Sequence, residues 1–123
     1  MLTGIDHIDI AVDDLEKWTT FFEAMGFTVI KRTVHGGGSV ELSFPGVDKP
    51  FLELTSTTRP NGNTFPAGFR HIALKAPDMD AAYAELTARG VTIDRPPRRN
   101  PESHRQTMNA IDPDGGMIIQ FVD

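Results

Sequence analysis

The sequence predicts an α+β protein made of two tandem βαβββ units. Three observations predict it. Residues 5–29 (IDHIDIAVDDLEKWTTFFEAMGFTV) and 69–93 (FRHIALKAPDMDAAYAELTARGVTI) align without a gap at an offset of 64, with six identities in 25 pairs, among them His7/His71, Asp14/Asp78 and Gly26/Gly90. Each copy opens on period-two alternation and passes into helical periodicity. Each is then followed by short apolar runs separated by turn formers. A repeat of this length marks a duplicated unit.

The elements follow in order. Ile8, Ile10 and Val12 share one side of a strand, with His7, Asp9 and Ala11 on the other; Ile72, Leu74 and Ala76 oppose His71, Ala73 and Lys75 in the same way. Leu15, Trp18, Phe22 and Met25 then mark a helix whose Trp18–Phe22 stripe is expected in the core, as are Met79, Ala82 or Tyr83, and Leu86 in the second copy. Asp13 with Glu16 has capping-box spacing, and Asp78 can cap the second helix. Gly26 and Gly90 stand where a helix end takes a left-handed residue.

Strands are expected at about 27–33, 39–44 and 50–56, with Gly36–Gly38 as a turn, and at about 91–94, 106–111 and 117–122. Residues 95–105 (RPPRRNPESHR) read as a long loop. The whole chain is expected to be one domain: a first module at about 1–57, a linker at about 58–68 and a second module at about 69–123.

Composition narrows the chemistry. Twelve basic and 17 acidic residues give a net charge of −5, which argues against a nucleic-acid binder. There is no cysteine, so disulfides, thiolate nucleophiles and Cys-ligated metals are excluded. No apolar run approaches the roughly 18–20 residues of a membrane span, and no secretory signal is visible at the start, so a cytoplasmic location without membrane contact is expected. No Walker loop, nucleophile elbow or dinucleotide fingerprint occurs.

The repeat also picks out a site. His7 and His71 are equivalent and lie opposite the apolar side of their strands. Aligning FLELTS (51–56) with IIQFVD (118–123) pairs Glu53 with Gln120. Two imidazoles, a carboxylate and an amide oxygen suit one divalent metal, with zinc, nickel, cobalt, manganese and ferrous iron all compatible. A lone histidine on a strand is more often structural; a matched pair in a duplicated unit shifts that balance toward a metal. Anchoring the last strand on Gly115 rather than Gly116 would put Ile119, not Gln120, at the fourth position. Asp9 and Lys75 share the ligand face. Residues 95–105 carry Arg95, Arg98, Arg99 and Arg105 against Glu102; Arg98 and Arg99, with Lys75, are candidates for binding an anionic substrate, against the alternative of a solvated loop. His35 and His104 are expected to be exposed loop residues.

The segments IDHIDIAVDDLEKWTTFFEAMGF, FLEL, FRHIALKAPDMDAAYAELTARGV and DPDGGMIIQF resemble the vicinal oxygen chelate superfamily (glyoxalase I, bleomycin-resistance proteins, dioxygenases, methylmalonyl-CoA epimerases). The epimerases and bacterial glyoxalase I are the nearest in pattern. The resemblance implies two βαβββ modules forming an open, incomplete barrel, and homodimers whose metal site is often built from modules of two chains. It matches the family's metal ligands to His7, Glu53, His71 and, with Gly116 as anchor, Gln120. The last ligand is usually Glu and is tied to proton transfer there; Gln120 cannot take a proton, so the resemblance implies either that Glu53 is the base or that the chemistry is different or absent. The function so implied is a divalent-metal-dependent lyase or isomerase acting on a small carbonyl-containing substrate through an enolate. The alternatives are a metal-free small-molecule binding protein and a ferrous-iron dioxygenase.

Overall fold

The computed structural model describes every residue except His35, Gly36, Glu102 and Gly116. The expectations placed on those four lie outside the described residues: the Gly36 part of the turn, the exposed His35, the Glu102 charge and the Gly116 anchor.

Two copies of one topology follow each other along the chain. The first runs β1 (Gly4–Val12), α1 (Leu15–Ala24), β2 (Thr28–Thr33), β3 (Ser39–Ser43) and β4 (Leu52–Ser56). The second runs β5 (Gly68–Lys75), α2 (Met79–Ala88), β6 (Ile93–Arg99), β7 (Gln106–Ile111) and β8 (Ile118–Val122). The strand orders match: β2-β3-β4-β1 and β6-β7-β8-β5. In each copy the first and last strands pair in parallel and the other neighbours are antiparallel. The fold class is therefore α+β with βαβββ modules. By compactness the chain divides into residues 7–70 and residues 1–6 with 71–123.

The unit of residues 7–70 packs α1 on one side of its sheet. Leu42 and Leu54 are fully buried there, beside Val12, Val40 and Leu52. Burying each leucine contributes about 1.5–3 kcal/mol. Only Leu15, Thr19 and Phe22 of α1 turn toward this core; Thr19 is fully buried and its hydroxyl donates to the Leu15 carbonyl at 2.7 Å. Trp18 and Met25, expected inside, are exposed. The inward stripe follows i, i+4, i+7 through a threonine, which a search for apolar residues alone does not register. The second unit buries Met79, Ala82 and Leu86 of α2 against Met108, Ala110 and Phe121.

Both helices begin and end in the same way. Asp14 and Asp78 are the N-caps, accepting from the backbone N–H of Lys17 and Ala81 at 3.1 and 3.0 Å. Asp13, read as the cap of α1, instead accepts a 2.6 Å hydrogen bond from Thr57 Oγ1. At the far ends Gly26 and Gly90 take φ of +100° and +86°. Phe27 N–H reaches back to the Phe22 carbonyl and Val91 N–H to Leu86, closing a Schellman turn in each helix.

The loop expected at 95–105 is only partly a loop, because β6 continues through Arg99. Pro96 and Pro97 cannot donate to a ladder, but β6 ends its strand order and needs partners on one side only. The register shifts between Ile93 and Arg95 and again between Arg95 and Arg98. Those bulges erase the period-two signal. The linker is also structured: Thr58 bridges Thr64, and Arg59 N–H donates to the Asn63 carbonyl at 2.7 Å.

Candidate active site

Strand register assembles the site face of residues 7–70. Parallel pairing sets Asp9 opposite Glu53, and antiparallel pairing sets Glu53 opposite Glu41 and Glu41 opposite Lys31. Side chains paired directly across strands share one face. Three carboxylates and a lysine therefore form one row across β1, β4, β3 and β2. His7 precedes Asp9 by two residues and so shares its face. Its Nε2 lies 3.1 Å from Glu53 Oε2, with both side chains largely buried.

That spacing has a chemical meaning. Two donors each about 2.1 Å from one ion, at tetrahedral or octahedral angles, stand about 3.0–3.4 Å apart. The His7–Glu53 pair fits adjacent positions on one divalent cation, and imidazole with carboxylate is a donor set such ions accept. Among the described residues, no group of three or more His, Asp and Glu side chains is arranged to hold a metal by itself.

Asp9 is the most buried acid of the row, 2% exposed. Thr55 Oγ1 donates to its Oδ1 at 2.8 Å, and Arg70 Nη1 lies 3.5 Å from its Oδ2. Burial, followed by the neighbouring Glu53 charge, raises its pKa from 3.8 to about 6; Arg70, Thr55 and His7 oppose the shift. Asp9 thus lies between Glu53 and Arg70 and links them.

In the second unit, the same register logic places the remaining candidates. Ala73 pairs with Gln120, Gln120 with Asn109 and Asn109 with Arg95. Gln120 thus shares the face of Ala73 and, two residues earlier, of His71, which is 8% exposed. Ile119 pairs with Ile72 and Ala110 and packs against the apolar core. The row Asp9–Glu53–Glu41–Lys31 has its counterpart in Ala73–Gln120–Asn109–Arg95, with amides in place of Glu53 and Glu41 and alanine in place of Asp9. Lys75 is half-buried and falls in a row with Val122, Thr107 and Arg98 on the His71 face. Arg99 pairs with Gln106 on the opposite face, and its Nη1 donates to the His104 carbonyl.

Two residues of this arrangement escaped sequence reasoning. Glu41 looked like any charged strand residue, and only the register with Glu53 gives it meaning. Arg70 precedes His71 but belongs with Asp9. A surface groove of about 380 Å³ along α1 is lined by Lys17, Trp18, Thr20, Phe21 and Ala24, and contains none of the candidate residues.

The family description Glyoxalase/Bleomycin resistance protein/Dioxygenase superfamily matches residues 4–119. The chain belongs to that superfamily. It is 33% identical over 121 residues to the uncharacterized protein YwkD of Bacillus subtilis (strain 168), covering 93% of this chain and 92% of that protein. Among solved structures, it resembles a methylmalonyl-CoA epimerase in complex with methylmalonyl-CoA and NH4+ at 29% identity and a TM-score of 0.77, covering 99% of this chain and 94% of that one. A variant of the Streptomyces coelicolor epimerase in complex with 2-nitronate-propionyl-CoA aligns at 30% identity and a TM-score of 0.76, covering 99% and 97%. The epimerase of Mycobacterium tuberculosis, at 22% identity and a TM-score of 0.76, shares the fold.

Proposed function

We propose that the chain is a divalent-metal-dependent isomerase or lyase that moves a proton at a carbon next to a carbonyl, with a coenzyme A thioester as the leading substrate class. The observation that carries this reading is the His7 Nε2–Glu53 Oε2 approach of 3.1 Å, inside a row of carboxylates. The epimerase neighbours, crystallised with acyl-coenzyme A ligands, support the substrate class. His7, Glu53, His71 and Gln120 are the proposed metal donors, drawn from one chain or from the modules of two chains in a homodimer. The bound ion supplies Lewis acidity toward a carbonyl oxygen.

Glu53 takes the proton: its carboxylate accepts hydrogen from the α-carbon, the C–H electron pair moves toward the carbonyl as an enolate, and the proton returns to carbon. Glu41, on the same face one strand over, is placed to hold or relay that proton. Gln120 and Asn109 bind or orient, because an amide cannot take a proton at neutral pH. Lys75 and Arg98 stand on the His71 face as candidates for an anionic part of the substrate; Arg99 stands on the other.

The test is deuterium incorporation from D2O into the α-position of methylmalonyl-CoA, read by mass spectrometry on metal-supplemented protein. Wild type is expected to exchange one hydrogen. Glu53→Gln is expected to lower the rate by about 10²–10⁴-fold, the range general base catalysis supplies. Full exchange by a folded Glu53→Gln protein would overturn Glu53 as the base.

A further inference from the structure

Helix α1 has two apolar faces, and the fold of residues 7–70 buries one of them. Leu15, Thr19 and Phe22 turn to the core, whereas Trp18, Phe21 and Met25, at i, i+3 and i+7, are 38, 52 and 55% exposed. Trp18 and Phe21 meet edge to face with ring centroids 5.5 Å apart, and they stand 6.3 and 5.5 Å from the Phe22 ring. The outer rings are thus held against the inner one, which leaves them little freedom to lose on binding. Trp18 and Phe21, with Lys17, Thr20 and Ala24, line the groove of about 380 Å³ along this helix.

The internal repeat shows that the fold does not require such a face. At the offset of 64, Phe21 corresponds to Glu85 and Met25 to Arg89, and those two form an ion pair one turn apart on α2. One copy presents charges to water where the other presents an aromatic ring and a thioether. Contiguous exposed apolar surface of this kind marks a contact with another macromolecule.

Charge selects the occupant. The last turn of α1 holds Glu23 and no basic residue, so an acid stands at the negative end of the helix dipole. Lys17 stands near the other end, and neither side chain makes an ion pair among the described residues. A second α1 laid antiparallel across the first serves both ends at once. Lys17 of each copy then falls beside Glu23 of the other, Trp18 meets the small Ala24, and Thr20 and Phe21 lie at the crossing. A patch complementary to itself is what a twofold interface needs.

We propose that the outer face of α1 is an interface between two copies of this chain, packed helix to helix in antiparallel orientation. It uses none of the proposed metal donors, so it stands or falls apart from the proposed function.

The test is sedimentation equilibrium of the full chain, read together with the emission of Trp18, its single tryptophan. The wild type is expected to be a dimer whose emission moves to longer wavelength as dilution separates the copies. Phe21→Glu, which installs the residue type of the second copy, is expected to weaken association about thirtyfold or more, as loss of a central aromatic anchor does. Lys17→Glu is expected to weaken it about fivefold, and adding Glu23→Lys to it is expected to recover most of that loss. These charge variants keep the test decisive if Phe21→Glu does not fold. A wild type that stays monomeric up to about 1 mM overturns the proposal. So does a dimer that survives Phe21→Glu with its association and Trp18 emission unchanged. A charge swap that recovers nothing overturns the antiparallel arrangement.

Discussion

At the residue scale, Asp9 shows what the site demands of its surroundings. A carboxylate almost fully removed from solvent, next to a second one, needs its hydrogen bonds. Thr55 supplies one, at 2.8 Å. Thr55→Val keeps shape and volume but leaves Asp9 Oδ1 without that donor, so stability is expected to fall by about 1–3 kcal/mol in urea titration. A change below about 0.3 kcal/mol would mean the bond contributes nothing net. None of this was readable beforehand. Asp9 was legible as a polar residue on the ligand face, because alternation fixes direction. Its partners Thr55 and Arg70, and the place of Glu41 beside Glu53, depend on strand register, which no local pattern carries.

At the element scale, the two helices are the best-read parts of the chain. Their glycine ends follow from the need for positive φ, and both copies obey it. At Gly26 and Gly90 an added Cβ would meet open space, so Gly26→Ala and Gly90→Ala are each expected to cost only the backbone term, about 1–2 kcal/mol. Gly37 differs. Its φ is +97° and an added Cβ would fall inside contact distance of the Thr58 carbonyl oxygen. Gly37→Ala is therefore expected to cost at least about 3 kcal/mol, and equal losses at all three positions by denaturant melting would contradict this ranking. Two misreadings also belong here. Asp13 and Asp14 are adjacent and equally good caps by type; the identity of Asp14 with Asp78 in the repeat was the signal that separates them. The second is β6, hidden because Pro96, Pro97 and two register shifts remove every strand cue at an edge that tolerates them.

At the scale of the whole molecule, duplication explains both what was legible and what the chain has done with it. The offset of 64 revealed the modules, the two histidines and the matched strands, because copies retain their pattern. The copies then diverged in charge. Glu53 and Glu41 in one copy correspond to Gln120 and Asn109 in the other, so acids stand in residues 7–70 where the second copy has amides. Among the described residues no helix is long and apolar enough to cross a membrane. The central proposal is that His7, Glu53, His71 and Gln120 are the donors to a divalent ion. It is tested most directly by measuring the metal content of protein purified without chelator, by mass spectrometry, alongside His7→Ala and His71→Ala. The expected result is about one equivalent of a divalent metal per chain in the wild type, lost in both variants. A wild type holding less than about a tenth of an equivalent after metal supplementation, or metal that survives both substitutions in full, would contradict it.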